Sequence, residues 1–122
     1  MKDKKVLLVD DETEFVTTLA ERLKLRDIET DIATDGEAAL RIVETTPPDI
    51  MILDLKMPGL GGLAVLKQAK SIRPGIKVIL LTGHGSTKEG IEGMNLGAFD
   101  YLMKPINIEE LIEKMRDAVN KG

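Results

Sequence analysis

Pro48–Gly62, PDIMILDLKMPGLGG, decides how the rest of the chain is read. Its Ile50-Met51-Ile52-Leu53 run is wholly apolar, and a strand without polar alternation must be covered on both faces, as in a parallel sheet. The run ends in a carboxylate, Asp54, and then breaks. Pro58 removes a backbone donor and biases Met57 away from helix, while Gly59, Gly61 and Gly62 permit a turn. An acid at the carboxyl end of a buried parallel strand stands where open α/β sheets bind ligands. Asp is equally at home starting a turn or capping a helix, so within this stretch both readings of Asp54 stay open.

On the amino-terminal side, Val6-Leu7-Leu8-Val9 is a second apolar run, and it too ends in acid, Asp10-Asp11-Glu12. From Thr13 to Leu25, Phe15, Val16, Leu19 and Leu23 recur at helical spacing, with Asp11 and Glu14 placed as a capping box. Ile28 to Ala33 sets Ile28, Thr30 and Ile32 against Glu29 and Asp31, the alternation of a half-exposed edge strand. Thr34-x-x-Glu37 opens a second helix carrying Ala38, Leu40, Ile42 and Val43, and Pro47-Pro48 stops it.

On the carboxyl-terminal side, a third helix runs from Leu63 to about Ser71 and ends before Pro74-Gly75. Val78-Ile79-Leu80-Leu81 repeats the buried-strand pattern and stops at Thr82-Gly83-His84-Gly85. Ser86-x-x-Glu89 caps a fourth helix that contains Gly90 and Gly93, each costing about 1 kcal/mol relative to Ala. This helix is therefore the least secure element, suited to movement, and alanine at both positions is expected to raise stability. Phe99 to Met103 forms a fifth strand, followed by Lys104-Pro105. Asn107-x-x-Glu110 caps a last helix whose apolar side is Ile108, Leu111, Ile112, Met115, Ala118 and Val119.

Strands alternating with helices over short connections imply right-handed crossovers and a parallel sheet covered on both faces. The continuously apolar strands belong in the centre and the alternating one outside them. The expected fold is α/β, a doubly wound five-stranded parallel sheet of order 2-1-3-4-5 with five helices and a switch point between strands one and three. At 122 residues, without linker, repeat or low-complexity segment, the chain reads as one domain. It has no cysteine, which excludes disulfides and thiolate metal sites. Its net charge of −4 comes from 17 basic and 21 acidic residues spread along the chain, and with one Tyr, two Phe and no Trp it offers nucleic acid neither a basic stripe nor a stacking platform. No apolar run exceeds five residues, so neither a signal peptide nor a membrane span is expected, and a cytoplasmic location is.

In that fold the strands deliver Asp10, Asp11, Asp54 and Thr82 to one lip of the sheet, and strand five adds Lys104. Taken singly, each has a plain structural reading: acids at a helix start, a loop start at Thr82-Gly83, a turn at Lys104-Pro105. Taken together they do not. Carboxylates about 6 Å apart repel by roughly 3 kcal/mol per pair at an effective dielectric near 20, so three of them call for cations. Lys104 supplies one positive charge and a hard divalent ion two more. Oxygen ligands without His or Cys favour Mg²⁺, with Mn²⁺ as a substitute. Such a site suits a phosphoryl group. His84, the only histidine, reads as an exposed loop residue flanking it.

These residues, in this order, resemble end to end the receiver domain of two-component response regulators, a flavodoxin-like fold of which the chemotaxis response regulator is the single-domain type. The resemblance rests on Asp10-Asp11, on Asp54 followed by Met57-Pro58-Gly59, on Thr82, and on Lys104-Pro105. It implies that residues 1–122 form one receiver domain, with excision from a longer regulator or hybrid kinase left open. It implies that Asp54 accepts a phosphoryl group from a histidine kinase or phosphotransfer protein. Asp11 and Asp54 would bind Mg²⁺ with help from the Lys56 carbonyl, and Asp10 would act through water. Thr82 and Lys104 would contact the phosphoryl oxygens, the Lys104-Pro105 peptide would be cis, and Tyr101 would turn inward as Thr82 is drawn to the phosphate. The response would appear on the face of helix four, strand five and helix five, where an output domain, a target or a second phosphorylated copy would dock, with Met94, Met103 and Met115 as candidate contacts. Catalysis would be confined to the domain's own phosphorylation and dephosphorylation. A receiver-like module that binds without phosphorylation is the competing reading, and a flavin-binding member of the same topology is disfavoured because the acidic lip repels flavin phosphate.

Overall fold

Each continuous apolar run folds as an inner strand of one parallel sheet, in a computed structural model that describes residues 1, 3–83 and 87–120. In chain order the elements are β1 (Val6–Val9), α1 (Thr13–Lys24), β2 (Thr30–Ala33), α2 (Gly36–Thr45), β3 (Ile50–Asp54), α3 (Gly62–Ile72), β4 (Lys77–Thr82), α4 (Thr87–Asn95), β5 (Asp100–Met103) and α5 (Ile108–Asn120). The strands are parallel in the order β2-β1-β3-β4-β5, as expected. The chain steps outward one way from β1 to β2 and the other way from β3 to β5, so the switch point falls between β1 and β3, which pair Val6 with Ile50 through Val9 with Leu53.

Pleating sends alternate side chains to opposite faces. On one face Leu7, Val9, Met51, Leu53, Val78 and Leu80 pack against Ala39, Leu40 and Val43 of α2 and Val65, Leu66 and Ala69 of α3. On the other, Val6, Leu8, Ile50, Ile52, Ile79 and Leu81 pack against Val16, Leu19 and Leu23 of α1 and Leu111, Ile112 and Met115 of α5. Each fully buried Leu, Ile or Met here contributes about 1.5–3 kcal/mol of transfer free energy, which is why β1, β3 and β4 carry no polar alternation. Met115 is thus core and not partner surface, whereas Met94 and Met103 are exposed.

The turn after β3 is as tight as its sequence suggests. Gly59 has φ +72°, and Gly62 lets α3 start directly behind the strand: a Cβ there would lie 2.5 Å from the Asp54 carbonyl oxygen and 2.6 Å from Leu55 Cα.

Several local expectations need correction. The Asp11/Glu14 box does not cap α1; Glu12 is the N-cap, without a side-chain bond, and the Asp10 carboxylate instead accepts the Glu12 N–H at 2.9 Å. The cap of α2 is Asp35, which accepts from the Ala38 N–H at 2.8 Å, one residue beyond Thr34. An Asp extends its oxygen further than Thr and outranks it as a cap, so it captures the helix start. Ile28, buried, lies ahead of β2, and Ile32 within it faces solvent, because the strand begins only at Thr30 and its one covered residue is Ala33. Asn107 caps α5 as expected, accepting from the Glu110 N–H at 3.0 Å. Ser86, the expected cap of α4, and His84 lie outside the described residues.

The two glycines of α4 are buried and differ from each other. A Cβ on Gly90 would make ordinary contact with Thr82 Cγ2 at 3.6 Å, whereas one on Gly93 would overlap Leu80 Cδ1. The expectation that alanine stabilises both positions therefore fails at Gly93, where glycine is what lets α4 sit against β4.

Candidate functional site

Strand alternation also sorts the site residues. Asp10 continues the Val6, Leu8 series, Asp54 the Ile50, Ile52 series, and Lys104 the Leu102 series, so all three emerge at the carboxyl ends of β1, β3 and β5 on the α1/α5 side. Asp10 is fully buried and Asp54 only 6% exposed, whereas Asp11 is exposed. One carboxylate oxygen from each of Asp10, Asp11 and Asp54 lies within 4.8 Å of the others. Two unit charges at that distance repel by about 3.5 kcal/mol at an effective dielectric near 20.

Lys104 supplies the cation. Its Nζ donates to Asp10 Oδ2 at 2.9 Å and Glu12 Oε1 at 3.1 Å, and stands 3.6 Å from Asp54 Oδ1, with the Phe15 ring centroid 4.3 Å away. Burial alone would lower the Lys104 pKa, but the hydrogen bond and charge of Asp10, with Asp54 and Glu12, raise it above the ordinary lysine value. Asp54 moves from 3.8 up to about 6, first through burial and then through the Asp10 and Asp11 charges; the Lys104 ammonium and the Lys56 backbone N–H oppose the rise. A nearly buried carboxylate this reluctant to ionise is relieved by any ligand that brings positive charge. The donor set of three carboxylates, without His or Cys, fits a hard divalent cation.

Thr82 ends β4 on the opposite, α4 side, and its buried hydroxyl donates to the Leu102 carbonyl at 3.3 Å. Tyr101 is 47% exposed, its ring outward at the mouth of a cavity of about 190 Å³ lined by Thr82, Gly90, Ile91, Met94 and Met103. The cleft therefore gathers Asp10, Asp11, Asp54 and Lys104, while Thr82 and Tyr101 face away from it. Lys56 is exposed in the loop after β3, and the Lys104-Pro105 peptide is cis. Sequence reasoning passed over Glu12 and Phe15, both in contact with Lys104. The one available signal was an acid directly after Asp10-Asp11, at the start of the helix facing the lysine.

Comparison with known proteins agrees with this geometry. The family model for the response regulator receiver domain matches residues 6–116. The sensory transduction protein RegX3 of Mycobacterium tuberculosis is 38% identical over 117 residues, 96% of this chain and 51% of that protein. The response regulator MprA of Mycolicibacterium vanbaalenii is 36% identical over 112 residues, 92% of this chain and 48% of its own. Among solved structures, a response regulator receiver domain protein from Clostridium thermocellum superposes with a TM-score of 0.91 at 35% identity, covering 97% of this chain and 95% of that one. The receiver domain of NtrX from Brucella abortus gives 0.91 at 30% identity, covering 96% and 99%. The chain belongs to the receiver domains of two-component response regulators, phosphorylation-activated signalling switches. It spans about half the length of the curated relatives it matches.

Proposed function

We propose that Asp54 is the phosphoacceptor of this receiver domain, taking its phosphoryl group from a histidine kinase or phosphotransfer protein. The observation that carries this reading is a nearly buried Asp54 carboxylate flanked by Asp10 and Asp11 within 4.8 Å, with the Lys104 ammonium at 3.6 Å. One Asp54 oxygen attacks phosphorus, the bond from phosphorus to the donor's imidazole nitrogen breaks, and that nitrogen keeps the electron pair. The product is an acyl phosphate. Lys104 answers the charge on the transferring oxygens. Asp11, Asp54 and the Lys56 carbonyl would hold Mg²⁺, with Asp10 acting through water, and the ion would supply further positive charge for the same oxygens.

The Thr82 hydroxyl then exchanges the Leu102 carbonyl for a phosphoryl oxygen, and the Tyr101 ring moves into the cavity beside Gly90 and Met94. Phosphorylation selects that arrangement and biases the face of α4, β5 and α5, where an output domain, a target or a second phosphorylated copy binds. Residues 1–122 form one receiver domain with no catalysis beyond its own phosphorylation and dephosphorylation, and it works in the cytoplasm. Among the described residues no helix is long and apolar enough to cross a membrane.

Incubation with acetyl phosphate and Mg²⁺ is expected to add one phosphate by intact mass, mapping to the peptide that contains Asp54. Absence of an adduct would sink this reading and favour a module that binds without phosphorylation. Mg²⁺ alone should raise stability by about 1.4 kcal/mol at ten times its dissociation constant, read by urea titration with and without metal.

A further inference from the structure

Lys104 is not aimed at Asp54 in this structure. Its ammonium makes its two close contacts, 2.9 Å and 3.1 Å, to Asp10 and Glu12, and the 3.6 Å approach to Asp54 is the longest of the three. The Phe15 ring lies 4.3 Å from the same nitrogen, and Glu12 and Phe15 both belong to the start of α1. A cation touching two carboxylates and an aromatic face is restrained on that side of the cleft. Glu12 itself is held in position, since its backbone N–H is tied to Asp10 Oδ1 at 2.9 Å.

We propose that Glu12 is a positioning residue that parks Lys104 on the α1 side of the cleft, so that an incoming phosphoryl group must win the ammonium from it. The proposal rests on Asp54 being the phosphoacceptor. Asp10 is buried and its bond to Lys104 is internal to the site, whereas the Glu12 side chain is 66% exposed and its bond is the one that can be exchanged. A pair open to water on one side has only a modest hold, so its release changes binding of an anionic donor about two- to fivefold and not by orders of magnitude. The effect belongs in the capture of the donor, before phosphoryl transfer, and so in KM more than in kcat.

Glu12→Gln and Glu12→Asp separate contact from field. The first removes the charge; the second keeps it on a side chain one methylene shorter, which no longer reaches Nζ. Phosphorylation by acetyl phosphate is measured for each at a Mg²⁺ concentration saturating for that variant. Parking predicts that both variants lower KM about two- to fivefold with kcat within twofold of the parent. It also predicts that the Lys104 ammonium protons, followed by ¹⁵Nζ NMR and assigned with Lys104→Arg, exchange with water faster in both. Parent-like KM in both variants, a change in Glu12→Gln alone, or unaltered ammonium exchange would overturn it. If the parent takes up no phosphate, the assignment of Asp54 fails, and the exchange rates still decide whether Glu12 holds Lys104.

Discussion

Asp54→Asn is expected to abolish phosphate incorporation from acetyl phosphate while making the metal-free protein more stable at pH 7 by about 2–3 kcal/mol. The loss follows because an amide cannot form the acyl phosphate. The gain follows from the carboxylate's surroundings. Burial and the charges of Asp10 and Asp11 lift Asp54 from 3.8 to about 6, and each pKa unit is worth about 1.4 kcal/mol. The sign is fixed by proton counting: between these values the folded state binds more protons at Asp54 than the unfolded chain does. Stability contributed by this group is therefore greatest near pH 4, falls as pH rises towards 6, and stays low above it. The asparagine variant lacks that dependence. Urea denaturation across pH 4–8 without metal should show the two proteins converging near pH 4 and separating to the full difference above pH 6. A constant difference across the range would show that the carboxylate charge is not its source. Mg²⁺ should narrow the gap, because the cation offsets in the parent the repulsion that the variant has already lost.

The order of legibility along the chain follows how local each interaction is. β1, β3 and β4 could be read from four-residue apolar runs because burial on both faces leaves no room for alternation, and their order then followed from crossover handedness and from the half-polar β2. The lip residues followed in turn, since Asp10, Asp54 and Thr82 need only a strand end to be placed. Helix starts were less legible. Asp35 displaced Thr34 because neighbouring oxygens compete for the same N–H groups, whereas α1 starts at Glu12 with no side-chain cap and the Glu12 N–H goes to the Asp10 carboxylate. Contacts between distant segments were least legible. Only its place directly after Asp10-Asp11 hints that the Glu12 carboxylate lies 3.1 Å from a nitrogen 92 positions away, and nothing in the spacing of Gly90 and Gly93 distinguishes them. The sequence marks both as weak points in a helix; only the residues across from them separate their meanings.

Gly93→Ala is accordingly expected to destabilise the protein by up to about 2 kcal/mol, and Gly90→Ala to stabilise it by about 0.5–1 kcal/mol, a difference in sign between identical substitutions one turn apart. Both gain about 1 kcal/mol of helix propensity. At Gly93 the new methyl would overlap Leu80 Cδ1, with Leu63 Cδ2 at 3.5 Å and Leu66 Cδ2 at 3.7 Å closing the other directions. Leu80 and Leu66 are fully buried, so neither can turn aside without displacing core, and overpacking of that kind costs about 1–3 kcal/mol. At Gly90 the only neighbour among the described residues is Thr82 Cγ2 at ordinary contact distance, so the propensity gain survives. Thermal or urea unfolding of the two variants reads the signs directly; two stabilising substitutions would mean that α4 can lift from β4 at no cost. The same geometry gives the pair different effects on signalling. The Gly90 methyl lines the cavity beside Thr82 into which the Tyr101 ring would move, so Gly90→Ala should reduce the difference between resting and phosphorylated α4–β5 NMR shifts while stability rises. Gly93→Ala pushes α4 away from Leu80 and should perturb those shifts already in the resting protein. An unaltered resting-to-phosphorylated difference in Gly90→Ala would remove the Thr82–Gly90 contact from the path between the acidic cleft and α4.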